Sequence, residues 1–173
     1  LNAAMFGHPE WVRLDEGTLE PAEFGRRAQA RLADAGLRPL VPLLLEAMPG
    51  NVLSPMPGMT ELVAWTLASG YRAYVLSNAN LAVSRNREII PGIEKFNGVV
   101  FSVEEQAIKP YPEIYRRLTD RYGLVPEECL FIDDNADNAE GARRLGWQAY
   151  VFNGDVPALR RMLEGLNPAA ARE

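Results

Sequence analysis

The order of apolar and polar residues divides the chain into two regions of different character. Up to about residue 50 the apolar residues recur at helical spacing, as at Phe24 and Ala28, and no segment has the pattern of a strand. Helices are predicted over residues 20–36, with a proline in the first turn, and over residues 40–48. Residues 1–20 show no clear period.

Beyond a predicted turn at Pro55–Gly58 the pattern changes to short apolar runs that alternate with helix-like segments. Such runs are typical of strands buried on both faces of a parallel sheet, and the helices between them provide the crossovers. We therefore predict an α/β fold, a doubly wound parallel (Rossmann-like) sheet over residues 55–173 with a small helical cap region over residues 1–54. The predicted strands are 73–76, 99–102, 130–132 and 148–152, and the helices of this region are 60–68, 81–89, 113–122, 139–145 and 156–166.

Composition narrows the classes of function. The 173 residues are 47% hydrophobic and 24% charged, and the net charge of -5 favours neither a nucleic acid nor an anionic membrane as partner. The single cysteine, Cys129, and the single histidine, His8, exclude an internal disulfide, a thiolate zinc site and a histidine cluster. No apolar run is long enough for a membrane span and no secretory signal is visible, so we expect a cytoplasmic monomer or homodimer.

Three of the predicted strands lead into residues that can carry chemistry. Ser77 and Asn78 end the first, Lys109 follows the second by a short loop, and Asp133 and Asp134 end the third. The carboxyl ends of parallel strands meet at one edge of a sheet, where ligands bind. A hydroxyl and a lysine suit an anionic phosphate, and paired carboxylates suit Mg²⁺, which prefers oxygen ligands.

Each of these features also has a simpler interpretation. Ser77 could cap the next helix, Lys109 could be a solvated loop charge, and Asp133–Asn135 could be a solvated Asp-Asp-Asn turn that caps the helix after it. The occurrence of all three at predicted strand ends, in this order, favours a shared site over three unrelated features.

The segments Leu76–Asn78, Lys109–Tyr115 and Phe131–Asn135 resemble the second, third and fourth motifs of the haloacid dehalogenase (HAD) superfamily. The Asp-Asp form of the last motif resembles the phosphatase branch, because the haloacid dehalogenases have a different pattern there. Within that branch the longer strings Leu76–Asn80 and Asp133–Asn138 are similar to those of α-D-glucose-1-phosphate phosphatases and of the phosphatase domain of soluble epoxide hydrolase. The region before Pro55 resembles the family's helical cap.

The resemblance implies a Mg²⁺-dependent phosphatase of small phosphorylated metabolites, such as glucose 1-phosphate, that works through an aspartyl-phosphate. The roles that it implies are phosphate binding by Ser77 and Asn78, bridging of phosphate and nucleophile by Lys109, Mg²⁺ ligation by Asp134, support of the metal site by Asp133, and orientation of that loop by Asn138.

The family's first motif, an apolar strand that ends in Asp-x-Asp and supplies the nucleophile, is not found. The nearest imitation, Leu14–Leu19, places a leucine at the nucleophile position, so we interpret it as part of the cap region and the match as accidental. We expect the nucleophile and the central strand that carries it to lie before Leu1, and we expect residues 1–173 alone to be inactive, because a nucleophilic carboxylate is what divides the transfer into two steps.

Three other classes of protein share parts of this pattern. A non-catalytic relative of the family would bind phosphate or a protein partner without turnover. A phospho-acceptor receiver domain is disfavoured because its acidic pair precedes its lysine by most of the domain, the reverse of the order of Lys109 and Asp133. A haloacid dehalogenase is disfavoured by the Asp133-Asp134 pair, since that reaction needs no metal.

Overall fold

The computed structural model describes residues 1–51, 56–90 and 92–166. Helices predominate in these ranges, and every strand is four residues long. The α-helices are α1 Glu10–Asp15, α2 Pro21–Arg31, α3 Leu40–Asn51, α4 Met59–Ala68, α5 Leu81–Arg85, α6 Ser102–Glu105, α7 Pro112–Tyr122, α8 Ala136–Arg143 and α9 Val156–Glu164. The strands are β1 Tyr74–Ser77, β2 Gly98–Phe101, β3 Leu130–Asp133 and β4 Gln148–Val151.

All four predicted strands are present, each displaced by no more than one residue at either end. The helices differ more from prediction. Helix α2 ends at Arg31 rather than near Gly36, because Leu32 is extended and the side chain of Asp34 starts a separate turn by accepting a hydrogen bond from the Gly36 N–H (2.8 Å). Helix α5 stops at Arg85 and is followed by a single 3-10 turn.

Helix α1 was not predicted. It is six residues long and buries only Leu14, so it is too short to show a helical period in the sequence. Of the predicted turn at Pro55–Gly58, Pro55 lies outside the described residues. Gly58 adopts a left-handed backbone (φ 81°) immediately before α4, a conformation that favours glycine.

The chain divides into two compact units. Unit 1 comprises Leu1–Ser54, Ser77–Ile90 and Phe101–Ile108, and unit 2 comprises Pro55–Leu76, Pro91–Val100 and Lys109–Glu173. Their chain segments alternate, so each unit is assembled from three stretches of sequence. The assignment of residues 1–54 as a cap and 55–173 as a core stays a prediction.

The core of unit 1 lies between α1 and α2. Phe24 and Ala28 are fully buried, which confirms the predicted apolar face of α2, and Leu32, just past the end of the helix, is nearly buried as well. The ring of Trp11 meets the ring of Phe24 edge to face at 5.4 Å. The remaining buried members of this cluster are Met5, Leu14, Leu19 and Val41.

Unit 2 contains a parallel pair of strands with helices packed around it. β3 pairs with β4 in the register Phe131↔Ala149 and Asp133↔Val151, so Asp133 is the last paired residue of β3. β1 pairs with β2 in a second sheet, and within the described residues no strand pairing joins the two sheets. No helix of the described ranges is long and apolar enough to cross a bilayer.

Candidate active site

A buried ion pair is the main feature of unit 2. Lys109, in the loop before α7, donates from Nζ to Oδ2 of Asp133 at 2.7 Å, and both side chains are less than one tenth exposed. The same ammonium donates to the carbonyl of Leu76 at 2.9 Å, immediately before Ser77 in the chain. It also lies 5.4 Å from the centre of the Phe131 ring. Lys109 is therefore held by an anion, a carbonyl and an aromatic face.

The second oxygen of Asp133 is engaged as well. Oδ1 accepts from the backbone N–H of Asn135 at 2.9 Å and from the side-chain amide of Asn138 at 3.0 Å. Burial alone would raise the pKa of Asp133, but the hydrogen bond and charge of Lys109 together with these two donors lower it below its ordinary value. Asp133 is consequently an anion whose two oxygens already have partners.

The turn between β3 and α8 separates the two neighbouring acids. Asn135 caps α8 by accepting hydrogen bonds from the N–H groups of Asp137 (2.8 Å) and Asn138 (3.4 Å). Helix capping is therefore the role of Asn135, and Asp133 points instead to the lysine. Asp134, between them, is exposed to solvent.

The two acids differ in what they can ligate. Among the described residues no group of three or more His, Cys, Asp or Glu side chains is close enough to hold a metal ion. Mg²⁺ does not require such a group, because it commonly binds one or two carboxylates and completes its octahedron with water and substrate phosphate. Asp134 fits that donor chemistry, whereas Asp133, with both oxygens occupied, does not fit as a direct ligand.

In unit 1 the segment after β1 is built in a similar way. Ser77 closes the strand, and α5 is capped by Asn80, whose Oδ1 accepts from the N–H groups of Ala82 (3.0 Å) and Val83 (3.3 Å). The interpretation of Ser77 as the cap of the next helix is therefore wrong. The N–H of Ala79 donates to the hydroxyl of the buried Ser102 at 2.9 Å, which fixes the backbone next to Asn78.

Sequence reasoning missed one residue of this arrangement, Asp15. Its carbonyl accepts a hydrogen bond from Ser102 Oγ at 2.5 Å, and its carboxyl is hydrogen-bonded to Trp11 and Asn80. Burial raises the pKa of Asp15 to about 6, more than these neutral donors lower it. Asp15 ends helix α1 and no strand precedes it, which confirms that Leu14–Leu19 is not the strand-terminated first motif.

The structure thus brings together Lys109, Asp133 and Asn138, with Asp134 on the same turn. Ser77 and Asn78 belong to unit 1, where Ser102 and Asn80 hold the backbone that follows them. The catalytic and binding roles of these six residues stay predictions. Tyr115, whose hydroxyl donates to the Asn138 carbonyl at 2.7 Å, ends the segment Lys109–Tyr115, but the sequence assigned it no role, because a tyrosine in an amphipathic helix looks like ordinary core.

Comparison with known proteins adds the family. The pattern of the haloacid dehalogenase-like hydrolases matches residues 3–146. A phosphatase from Mycobacterium tuberculosis is 32% identical over 111 residues, which cover 57% of this chain and 51% of that protein. An (S)-2-haloacid dehalogenase from Xanthobacter autotrophicus is 30% identical over 135 residues, which cover 76% of this chain and 53% of that protein.

Solved structures give the fold. A HAD-family enzyme from Bacteroides thetaiotaomicron, crystallised with magnesium and inorganic phosphate, superposes with a TM-score of 0.63 at 24% identity, over 86% of this chain and 75% of that one. This likeness shows the Rossmann-like α/β fold and confirms the predicted fold class.

The chain spans about half or less of the length of the first curated relatives that it matches. The family pattern nevertheless covers most of its residues, from the first helical turn of unit 1 to just beyond α8 in unit 2. The protein therefore belongs to the haloacid dehalogenase-like hydrolases.

Proposed function

We propose that this protein is a Mg²⁺-dependent phosphatase of small phosphorylated metabolites. The observation that carries the proposal is that two adjacent acids differ in burial and in their partners. Asp133 is enclosed and paired with Lys109, whereas Asp134 is exposed and free to take an oxygen-liganded cation. A site for phosphoryl transfer needs both a fixed positive charge and a carboxylate that can hold a metal ion.

Each residue has a role in the proposal. Lys109 would counter the charge of the transferred phosphate, and the Asp133 carboxylate would orient its ammonium. Asp134 would hold Mg²⁺, which when bound would further neutralise phosphate oxygens. Ser77 and Asn78 are proposed to bind phosphate because of the motif to which they belong.

The nucleophile is proposed to be an aspartate on a strand outside residues 1–173, with an aspartyl-phosphate as the intermediate. Among the described strands β1 pairs only with β2 and β3 only with β4, so each of these pairs keeps an edge at which another strand can bind. In this proposal residues 1–173 alone bind ligands without turning them over. The substrate class, a cytoplasmic location and a monomeric or homodimeric state are carried as predictions from the sequence.

A second candidate function is haloacid dehalogenation, which the 30% identity to the Xanthobacter enzyme favours. The phosphatase is preferred because Asp134 is exposed, whereas both carboxylate oxygens of Asp133 already have partners. Asp134 can therefore serve as a metal ligand, which dehalogenation does not need. A third candidate is the non-catalytic phosphate-binding relative.

The experiment compares residues 1–173 with a longer protein that includes the sequence encoded immediately upstream. Hydrolysis of p-nitrophenyl phosphate and of a panel of sugar phosphates, with glucose 1-phosphate among them, is measured with and without Mg²⁺. We expect turnover only in the longer protein, only with Mg²⁺, and strongly reduced in Lys109→Ala and Asp134→Asn.

Other outcomes select the alternatives. Release of chloride from 2-chloropropionate without a metal would identify a dehalogenase. Phosphate binding by the longer protein without any turnover would identify the non-catalytic relative. Hydrolysis by residues 1–173 alone that depends on Asp134 would refute the placement of the nucleophile outside them.

A further inference from the structure

Tyr115 is the largest fully buried side chain of the described residues, and it carries a hydroxyl into the interior. Its ring packs edge to face against Phe131 (centroids 5.5 Å apart) and Trp147 (6.0 Å), contacts that a phenylalanine ring would make equally well. The hydroxyl, however, donates to the backbone carbonyl of Asn138 at 2.7 Å. Burial raises the pKa of Tyr115, so this group stays a donor.

Asn138 connects that hydroxyl to the ion pair. It is buried in the first turn of α8, and its side-chain amide donates to Oδ1 of Asp133 at 3.0 Å. Asp133 in turn accepts from Lys109 through its other oxygen at 2.7 Å. An uninterrupted series of hydrogen bonds therefore runs from Tyr115 through Asn138 and Asp133 to Lys109.

Gly141 shows that this part of α8 is held at close range. A Cβ at residue 141 would lie 2.5 Å from the carbonyl oxygen of Pro110 and 3.0 Å from the hydroxyl of Tyr115. Since Pro110 follows Lys109 directly, the helix that carries Asn138 and the loop that carries the lysine touch at this glycine. The hydroxyl of Tyr115 lies at the same contact.

We infer that Tyr115 is a positioning residue for the Asp133–Lys109 pair, acting through the carbonyl of Asn138. The hydroxyl fixes the first turn of α8, the turn fixes the direction of the Asn138 amide, and the amide fixes the rotation of the Asp133 carboxylate. With that rotation fixed, Oδ2 faces Lys109, and the turn that follows leaves Asp134 exposed. The importance of this arrangement for phosphoryl transfer rests on the proposed function.

The chain offers a matched control in the same helix. Tyr122, at the end of α7, also uses its hydroxyl on the backbone, where it accepts from the N–H of Val99 at 3.1 Å. Tyr115→Phe and Tyr122→Phe each delete one hydroxyl that is hydrogen-bonded to the backbone of unit 2, and Tyr122 also donates to the Val99 carbonyl at 3.3 Å, but only Tyr115 lies beside Asn138. If the Tyr115 hydroxyl only stabilised the fold, the two variants would have the same effect on the Asp133–Lys109 pair.

The test uses residues 1–173 without metal or phosphate. The readouts are the NMR signals of the Asn138 side-chain amide and of the Lys109 ammonium, and the rate at which the ammonium exchanges protons with water. In Tyr115→Phe we expect the amide signals to shift and ammonium exchange to become several-fold faster, because the pair loosens. In Tyr122→Phe both readouts should keep their wild-type values. Unchanged signals in Tyr115→Phe, or equal changes in both variants, would overturn the inference.

A third variant tests the route, and its effect as a single substitution does not depend on the folding of Tyr115→Phe. Asn138→Ala removes the amide but keeps the carbonyl that Tyr115 contacts, and it should accelerate ammonium exchange by itself. If Tyr115 acts through Asn138, the double variant should exchange no faster than Asn138→Ala alone. Additive acceleration would contradict the route.

A final titration separates this inference from the proposed function. Supporting residues around a metal site typically change metal affinity by about tenfold or more, so Tyr115→Phe should weaken Mg²⁺ binding by about that factor and Tyr122→Phe should not. If the wild-type residues 1–173 bind no Mg²⁺, the proposed metal site fails. The result on the ammonium and amide signals still decides the role of Tyr115.

Discussion

Two enclosed aspartates, one in each compact unit, respond to burial in opposite ways. In unit 2, Asp133 accepts a hydrogen bond from the ammonium of Lys109, and its pKa is lowered in spite of burial. In unit 1, Asp15 has only the neutral donors of Trp11 and Asn80, and burial raises its pKa to about 6. The presence or absence of a cation decides the direction of the shift.

Local sequence does not distinguish the two residues. Asp15 and Asp133 each follow a leucine or isoleucine and each precede a second acid. The cation that makes Asp133 a stable anion comes from a residue 24 positions away, and the serine that holds the Asp15 carbonyl comes from one 87 positions away. The comparison teaches that an acidic pair acquires its chemistry from tertiary partners.

Removal of the cation should have the largest effect. Lys109→Met leaves the Asp133 carboxylate enclosed without its counter-charge, and loss of one partner of a buried pair typically costs about 3–5 kcal/mol. Urea unfolding at neutral pH measures the loss. The control is Arg26→Met, which breaks an exposed pair with Glu23 and should cost less than about 1 kcal/mol. A comparable small loss for Lys109→Met would show that Asp133 does not depend on the lysine.

Substitution of one helical glycine in each unit shows how tightly the helix is packed there. Gly141→Ala should lower the free energy of unfolding by about 1–3 kcal/mol, because its Cβ would meet the fixed carbonyl of Pro110 at 2.5 Å. The Cβ of Gly25→Ala in α2 would meet the end of the flexible Leu45 side chain at 3.3 Å and Val41 at an ordinary 4.0 Å, so its effect should stay within about 1 kcal/mol of zero once the better helix propensity of alanine is included. Thermal or urea unfolding of both variants measures the difference. Equal losses in the two would mean that the contact at Pro110 can relax.

The titration of Asp15 supplies the pH dependence. Its pKa in the folded protein, about 6, exceeds the ordinary 3.8, so the stability that its protonated form contributes is complete below 3.8 and is lost as the pH rises through 6. Asp15→Asn stays neutral and escapes this loss. The stability of Asp15→Asn relative to wild type should therefore rise by about 1–3 kcal/mol between acidic and neutral pH. A difference that does not vary with pH would show that Asp15 is not buried as a carboxyl.

The strands and the residues at their ends could be predicted from sequence because both signals are local. A run of apolar residues bounded by turns identifies a buried strand, and the motifs Leu76–Asn78 and Phe131–Asn135 lie where two of these strands end. The likeness to a family then assigned roles that composition alone could not. Helix α1 escaped prediction because six residues with one buried side chain show no period.

The supporting contacts could not be predicted, because each joins segments far apart in the chain. Nothing near Tyr115 indicates that its hydroxyl meets the carbonyl of Asn138, 23 residues later. Gly141 lies in a predicted helix, where a glycine is a visible anomaly, but the residue it touches is fixed only by tertiary packing. Asp15 was assigned to a cap region, and its contact with Ser102 depends on the fold of unit 1.

The smallest effect on stability is expected from substitution of Asp134. Asp133 and Asp134 are adjacent in the chain, so comparing the two substitutions tests directly whether surroundings decide the role of an acid. Asp134 is exposed, so Asp134→Asn should change the free energy of unfolding by less than about 0.5 kcal/mol. Asp133→Asn, one residue earlier, should cost several times more, because it leaves Lys109 enclosed without its anion.

Asp134, the less important of the two acids for stability, should be the one on which the response to Mg²⁺ depends. A cation that binds only the folded protein raises its melting temperature, and the rise grows with the logarithm of the cation concentration once that exceeds the dissociation constant. The wild-type melting temperature should therefore rise with added Mg²⁺, and the rise should vanish in Asp134→Asn although that variant is otherwise as stable as wild type. If Asp134→Asn keeps the full Mg²⁺ response, the cation binds elsewhere, and the contrast between a structural Asp133 and a ligating Asp134 is wrong.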